Sequence, residues 1–157
     1  MITLRVPGTL RYRDLSVRVV AAACKLVGVA PGQARGAPAR SRDFDDQVIS
    51  AFGEVFNNIA IHGYRNRPGS GEIDIEIEPQ VDRMTIRVLD RGSSFDLTGA
   101  EPPDLDTLPE SGLGIYIVRS FMDEVMYQPG SPNVTVLTKY LNGTGRPATA
   151  LKEKTRG

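Results

Sequence analysis

Between Glu72 and Val88 the sequence alternates twice in succession. Ile73, Ile75 and Ile77 are interleaved with Glu72, Asp74, Glu76 and Glu78, and then Met84, Ile86 and Val88 with Thr85 and Arg87. A period of two places the isoleucines on one side of an extended chain and the carboxylates on the other. Strands with one buried and one wet face require their helices on a single side. The five-residue link, about Pro79 to Arg83, predicts an antiparallel hairpin. The fold class that follows is α/β in the α+β sense: a two-layer sandwich with a mixed, mostly antiparallel sheet and helices on one face.

The rest of the chain supplies those helices. Phe44, Val48, Phe52, Val55 and Ile59 recur at helical spacing and predict an amphipathic helix running to about Tyr64. Ser41 is its expected N-cap, with Asp43, Asp45 and Asp46 near the positive end of the helix dipole. An earlier helix is predicted from about Leu10 to Val27 and a later one from Leu113 to about Glu124. Short strands are expected at Ile2–Val6, Val125–Gln128 and Val134–Leu141. Residues 30–42 and 65–71, rich in glycine, proline or arginine, read as a loop and a turn. The long stretch from Arg91 to Gly112 has little periodicity, and loops of that length in small domains are functional lids or disordered segments. No internal repeat is visible. The chain reads as a single domain over residues 1–141, followed by a flexible tail at 142–157.

Composition narrows the class. With 157 residues, 40% hydrophobic and 24% charged, the chain is neither disordered nor collagen-like nor a disulfide scaffold. No apolar run approaches the roughly 18 residues of a membrane span. Cys24 is the only cysteine, so a reducing cytoplasm is the expected location and a buried thiol its expected role. Lys plus Arg equals Asp plus Glu at 19 each, yet residues 1–42 carry a net +7 and residues 43–110 a net −10. The basic segment lacks the aromatic platform of a nucleic-acid binder. It reads as a solvated helix face with a basic loop, or as a surface for an acidic protein.

Three short pieces carry the chemistry. Glu54 and Asn58, four apart on a helix, project from one face beside the apolar stripe. Taken alone, the pair could be no more than the polar edge of that stripe. Asp90-Arg91-Gly92 closes a strand, where Asp90 could accept a hydrogen bond from an amino group such as that of adenine, or could be ordinary turn chemistry. Ser111-Gly112-Leu113-Gly114 stands before a helix, where exposed backbone N–H groups suit a phosphate. A single Gly-x-Gly is more often a plain turn.

In this order, Glu-x-x-x-Asn, Asp-x-Gly, a long link and Gly-x-Gly resemble the N, G1 and G2 boxes of the GHKL ATPase superfamily, across about residues 1–141. The stretches Ile61-His62-Gly63-Tyr64 and Ser111–Gly114 through Val125 look most like its stand-alone anti-sigma-factor serine kinases. The resemblance implies a Bergerat-type ATP-binding fold. It makes Glu54 the general base, Asn58 a ligand of Mg²⁺ on ATP, and Asp90, with Gly92, the adenine-recognising pair. Gly112, Leu113 and Gly114 would place donors near the phosphates, and residues from about 93 to 111 would form the lid. His62 keeps a structural role. The implied partners are a STAS-domain anti-anti-sigma protein, phosphorylated on serine, a sigma factor, and a second copy in a homodimer; no direct nucleic acid or membrane partner is implied.

Two positions depart from that pattern. Glu110 stands where some relatives place a basic residue against the terminal phosphate, with Arg91 or Arg119 as substitutes. Gly130-Ser131-Pro132-Asn133 replaces a glycine followed by threonines. These departures keep open a second reading, a nucleotide-binding switch that sequesters a partner without phosphoryl transfer.

Overall fold

The alternating isoleucines lie at the centre of the sheet. In the computed structural model, which describes residues 1–33, 42–66, 71–94 and 110–142 with the side chains of 110–112 excepted, the sheet consists of five strands. These are β1 (Ile2–Pro7), β2 (Glu72–Pro79), β3 (Arg83–Asp90), β4 (Glu124–Gln128) and β5 (Asn133–Tyr140). Their order is β1-β2-β3-β5-β4, and every neighbouring pair is antiparallel. The helices are α1 (Arg13–Cys24), α2 (Arg42–Asn58) and α3 (Glu110–Phe121). This is the α+β arrangement expected from the sequence, with a sheet that is wholly antiparallel.

Register explains the burial. Ile75 faces Leu4 on one side and Val88 on the other, and Ile77 faces Ile2 and Ile86. All of Ile73, Ile75, Ile77, Ile86 and Val88 are fully buried. Helix α2 covers them with Val48, Phe52, Val55 and Phe56, and the Phe52 and Phe56 rings lie 6.3 Å apart in a tilted pair. Each such side chain contributes about 1.5–3 kcal/mol on burial. Helix α1 adds Val20, Ala23 and Cys24, so the lone thiol is a core residue. The opposite face of the sheet carries exposed ion pairs, Arg5–Asp74 at 2.5 Å and Arg87–Glu76 at 3.2 Å. Pairs of that kind are worth about 0–1 kcal/mol, so the fold rests on the inner face.

Several element boundaries differ from the sequence expectation; α1, expected from about Leu10 to Val27, spans Arg13–Cys24 after a 3-10 turn at Leu10–Tyr12. Pro79 and Arg83 belong to the strands, so the hairpin link shortens to Gln80, Val81 and Asp82, closed by Gln80 N–H donating to the Arg83 carbonyl at 2.8 Å. Helix α2 ends as an α-helix at Asn58 and continues as a π-helical turn over Ile59–Gly63. Helix α3 begins at Glu110 rather than Leu113. Glycine is tolerated in a first turn, and an acidic residue is favoured there. At its far end, Lys139 Nζ donates to the Phe121 carbonyl at 2.7 Å, a cation on the negative end of the helix.

The expected N-cap Ser41, the greater part of the 93–111 lid and the tail beyond Asn142 lie outside the described residues. Among the described residues, no helix is long and apolar enough to cross a membrane.

Candidate active site

Residues Glu54 and Asn58 sit on the last turns of α2 because the core stripe of that helix, Phe52, Val55 and Ile59, lies beside them. Glu54 is half-buried and Asn58 only 8% exposed. The Asn58 amide nitrogen is buried with no hydrogen-bond partner. Leaving an amide so placed costs about 1–3 kcal/mol unless a ligand completes it. The helix then widens into the π turn, a feature common at functional sites. Its exit is fixed by Tyr64, whose hydroxyl donates to the Glu72 carbonyl at 2.6 Å and accepts from Arg91 N–H at 2.9 Å. The Tyr64 ring fills the space where side chains on Gly8 and Gly71 would stand.

The acidic residue ending β3 is held at one oxygen only. Asp90 is 2% exposed. Its Oδ1 accepts from Gly92 N–H at 2.9 Å and from Asn133 Nδ2 at 3.1 Å. Its Oδ2 is buried with no partner. Burial raises the carboxyl pKa above its ordinary value, while the hydrogen bonds from Asn133 and Gly92 hold it down in part. Gly92 has a packing reason of its own. A Cβ there would stand 2.6 Å from the Gly63 carbonyl carbon and oxygen, and the next residue, Ser93, donates its N–H to that oxygen at 2.7 Å. The glycine thus brings the segment after β3 against the π turn.

The Gly-x-Gly piece is placed differently from the sequence expectation. Gly112, Leu113 and Gly114 lie within the first turns of α3 instead of preceding the helix. Regular helix uses the N–H groups beyond its first turn internally, so phosphate donors are confined to its very start. Gly114 instead serves Glu54: a Cβ at 114 would meet Glu54 Oε2 at 2.6 Å. Leu113 is 44% exposed. Arg119 sits seven residues beyond Gly112, roughly 10 Å along the axis. His62 is half-buried, with Nδ1 within 3.2 Å of the Arg65 guanidinium.

Two residues escaped the sequence reading. Thr135 is fully buried on β5, opposite Val88 and on the same face as Asp90, and its Oγ1 has no partner. Asn133, directly opposite Asp90 in the register, is also fully buried. Asn58, Asp90 and Thr135 thus supply three of the four buried polar atoms without partners among the described residues, the other being Arg13 Nε. Polar atoms left open in this way take a partner the described residues do not supply, ordered water or a ligand.

The open groups of Asn58, Asp90 and Thr135 thus lie on the two inner strands β3 and β5 and on the helix α2 that backs the sheet. Residues 9–139 match the histidine kinase-like ATPase domain family, and the chain belongs to that family. Within it, the chain is 37% identical over 109 residues to the serine-protein kinase RsbW of Bacillus velezensis, covering 64% of this chain and 67% of that protein. It is 37% identical over 101 residues to RsbW of Bacillus subtilis, covering 59% of this chain and 62% of the relative, so the match spans less than two thirds of that protein's length. Among solved structures, the histidine kinase domain of the Erythrobacter litoralis EL346 blue-light activated histidine kinase superposes with a TM-score of 0.50 at 16% identity. That match covers 89% of this chain and 64% of the other, and it bears on the fold alone.

Proposed function

We propose that this chain is an ATP- and Mg²⁺-dependent protein serine kinase that phosphorylates a STAS-domain anti-anti-sigma protein and, in the alternative state of the switch, binds a sigma factor. The reading is supported by membership of an ATPase-domain family and by relatives named as serine-protein kinases. The observation that carries it is that Asp90 Oδ2 and the Asn58 amide nitrogen are each buried without a partner, with Glu54 one helical turn before Asn58.

Each group has a task. Asp90 Oδ2 accepts the exocyclic N–H of adenine, and the Thr135 hydroxyl is a second polar contact for the base. Asn58 would hold Mg²⁺ by its amide oxygen; the side chain fits as a nearly buried oxygen donor on the helix face that carries Glu54. Magnesium keeps several waters and takes most of its other ligands from the phosphates, so one amide oxygen is an adequate protein contribution. When bound, the ion neutralises and orients the phosphates. Glu54 takes the proton of the partner serine as its oxygen bonds to the terminal phosphorus and the bond from that phosphorus to ADP breaks. Gly112, Leu113 and Gly114 bring the start of α3 to the phosphates. The same proposal includes a single ATP-binding domain over residues 1–141, a homodimer and a cytoplasmic location.

The test is transfer of labelled phosphate from Mg-ATP to a STAS protein by the native chain and by Glu54→Ala. The kinase reading expects phosphoserine on the partner and its loss in the variant. Transfer by Glu54→Ala at the native rate would remove Glu54 as the base. Glu110, the first residue of α3, favours the second reading, since its charge opposes a phosphate at that helix start. A partner released on nucleotide binding with no change in mass would establish the switch instead.

A further inference from the structure

The side chain of Asn133 uses its whole hydrogen-bonding capacity. Its Nδ2 donates to Asp90 Oδ1 at 3.1 Å and to the Gly92 carbonyl at 2.9 Å. Its Oδ1 accepts from Ser94 Oγ at 2.6 Å and from Gly130 N–H at 3.0 Å. A carboxamide has two donors and one oxygen with two lone pairs, so nothing is left over. The orientation of the amide is also determined. Gly130 N–H can only donate and the Gly92 carbonyl can only accept, so reversing the amide would set donor against donor and oxygen against oxygen. Full burial leaves no water to replace a lost partner.

We infer that Asn133 is the positioning residue for purine choice: by occupying Asp90 Oδ1 it leaves Oδ2 as the single acceptor offered to the base. The inference deepens the assignment of Asp90 to adenine and rests on it. An unanchored carboxylate would rotate about its last torsion, which is broad and two-fold. Held by the Gly92 N–H alone, the carboxylate could turn so that its free oxygen no longer points at the base. Asn133 removes that freedom and joins three segments at one point: the end of β3, the residues that follow it, and the turn before β5. The contact also gives the Gly130-Ser131-Pro132-Asn133 departure a purpose, because a threonine at 133 has neither the second donor nor the reach to serve Asp90 and Gly92 together.

Calorimetric titration of the full chain with Mg-ADP and Mg-IDP tests this. Hypoxanthine presents an oxygen where adenine presents its amino group, so IDP does not use the Asp90 contact. The native chain should bind ADP more tightly than IDP by about tenfold or more, the worth of one hydrogen bond to a charged acceptor. Asn133→Ala should weaken ADP about tenfold and leave IDP within about twofold. Equal loss for both nucleotides means a purely structural role and overturns the inference, as does unchanged ADP binding. Asp90→Asn separates the two layers. If it leaves the preference for ADP intact, or the native chain has none, the adenine assignment fails and takes this inference with it. If it removes the preference and Asn133→Ala does not, Asn133 alone is wrong. Should Asn133→Ala not fold, Asn133→Ser carries the same comparison, since its hydroxyl has a single proton and cannot serve Asp90 and the Gly92 carbonyl together.

Discussion

Gly114 leaves the space that the Glu54 carboxylate occupies: the missing methyl group would stand 2.6 Å from Oε2. The two residues are on different helices, so the glycine sets how closely α3 can approach the candidate base on α2. Gly114→Ala should push Glu54 aside and slow phosphoryl transfer about tenfold to a hundredfold, the usual cost of an ångström of misplacement. ADP affinity should fall less than the transfer rate, because Glu54 has no part in holding the base and Gly114 lies past the first four residues of α3, whose N–H groups alone are open to a phosphate. A variant that transfers phosphate at the native rate would show that the contact is incidental.

Acidity should act through Asp90. Its carboxyl titrates above the ordinary range because it is buried, so the folded protein holds the proton more tightly than the unfolded chain does. The contribution of this group to stability is therefore greatest below the unfolded pKa and declines as pH rises through the folded one. At neutral pH, Asp90→Asn should melt above the native protein when no nucleotide is present, and the gap should close on acidification. Nucleotide binding should show the opposite trend, weakening as the acceptor oxygen is protonated. Melting curves without nucleotide at neutral and acidic pH decide the first point; a variant less stable than native at both would refute it.

Gly92 and Gly63 touch, yet they should respond differently to the same change. A Cβ at 92 meets Gly63 backbone at 2.6 Å, whereas a Cβ at 63 has its nearest neighbour at 3.7 Å. Backbone yields little, so Gly92→Ala should cost about 1–3 kcal/mol and lower Tm by roughly 2–12 °C. Gly63→Ala should stay within about 0.5–1 kcal/mol of native. Calorimetry of both variants gives the comparison, and equal melting points would contradict the close approach.

Tyr64→Phe keeps the ring against Gly8 and Gly71 and removes the hydroxyl from the Glu72 carbonyl and Arg91 N–H. The loss should be about 1–3 kcal/mol. Amide exchange should quicken first at Arg91, next to Asp90. Protection at Arg91 equal to native would show that the hydroxyl does not hold that segment.

What the sequence reveals here depends on which way the polar residues face. Along β2 and β3 the isoleucines point into the core and the carboxylates into water, so alternation located both strands and the hairpin between them. On β5 the rule inverts. Asn133 and Thr135 face inward, on the same side as Asp90, and Val134 and Val136 face the other way. Hydropathy cannot identify an inner face whose buried positions are polar. Glu54, Asn58 and Asp90 were legible as an ordered set because each ends or edges a clearly periodic element. The glycines at 112 and 114 misled about the start of α3, since glycine usually marks an interruption; here one of them leaves room for a carboxylate from the neighbouring helix. Gly92 was read through a ligand, while its closest neighbour is backbone of the same chain.

The π turn over Ile59–Gly63 has a consequence for length. One widened turn changes the angular phase of every residue after it, and in this phase Gly63 meets Gly92 while Tyr64 reaches Gly8, Gly71 and Arg91. Removing or adding one residue between 59 and 63 would rotate those contacts off their partners by about a hundred degrees. Substitutions at the exposed Ile61 leave that phase untouched. The segment is thus free to vary in composition at its outer position and constrained in its number of residues, so insertions and deletions should be excluded from it even where point changes accumulate.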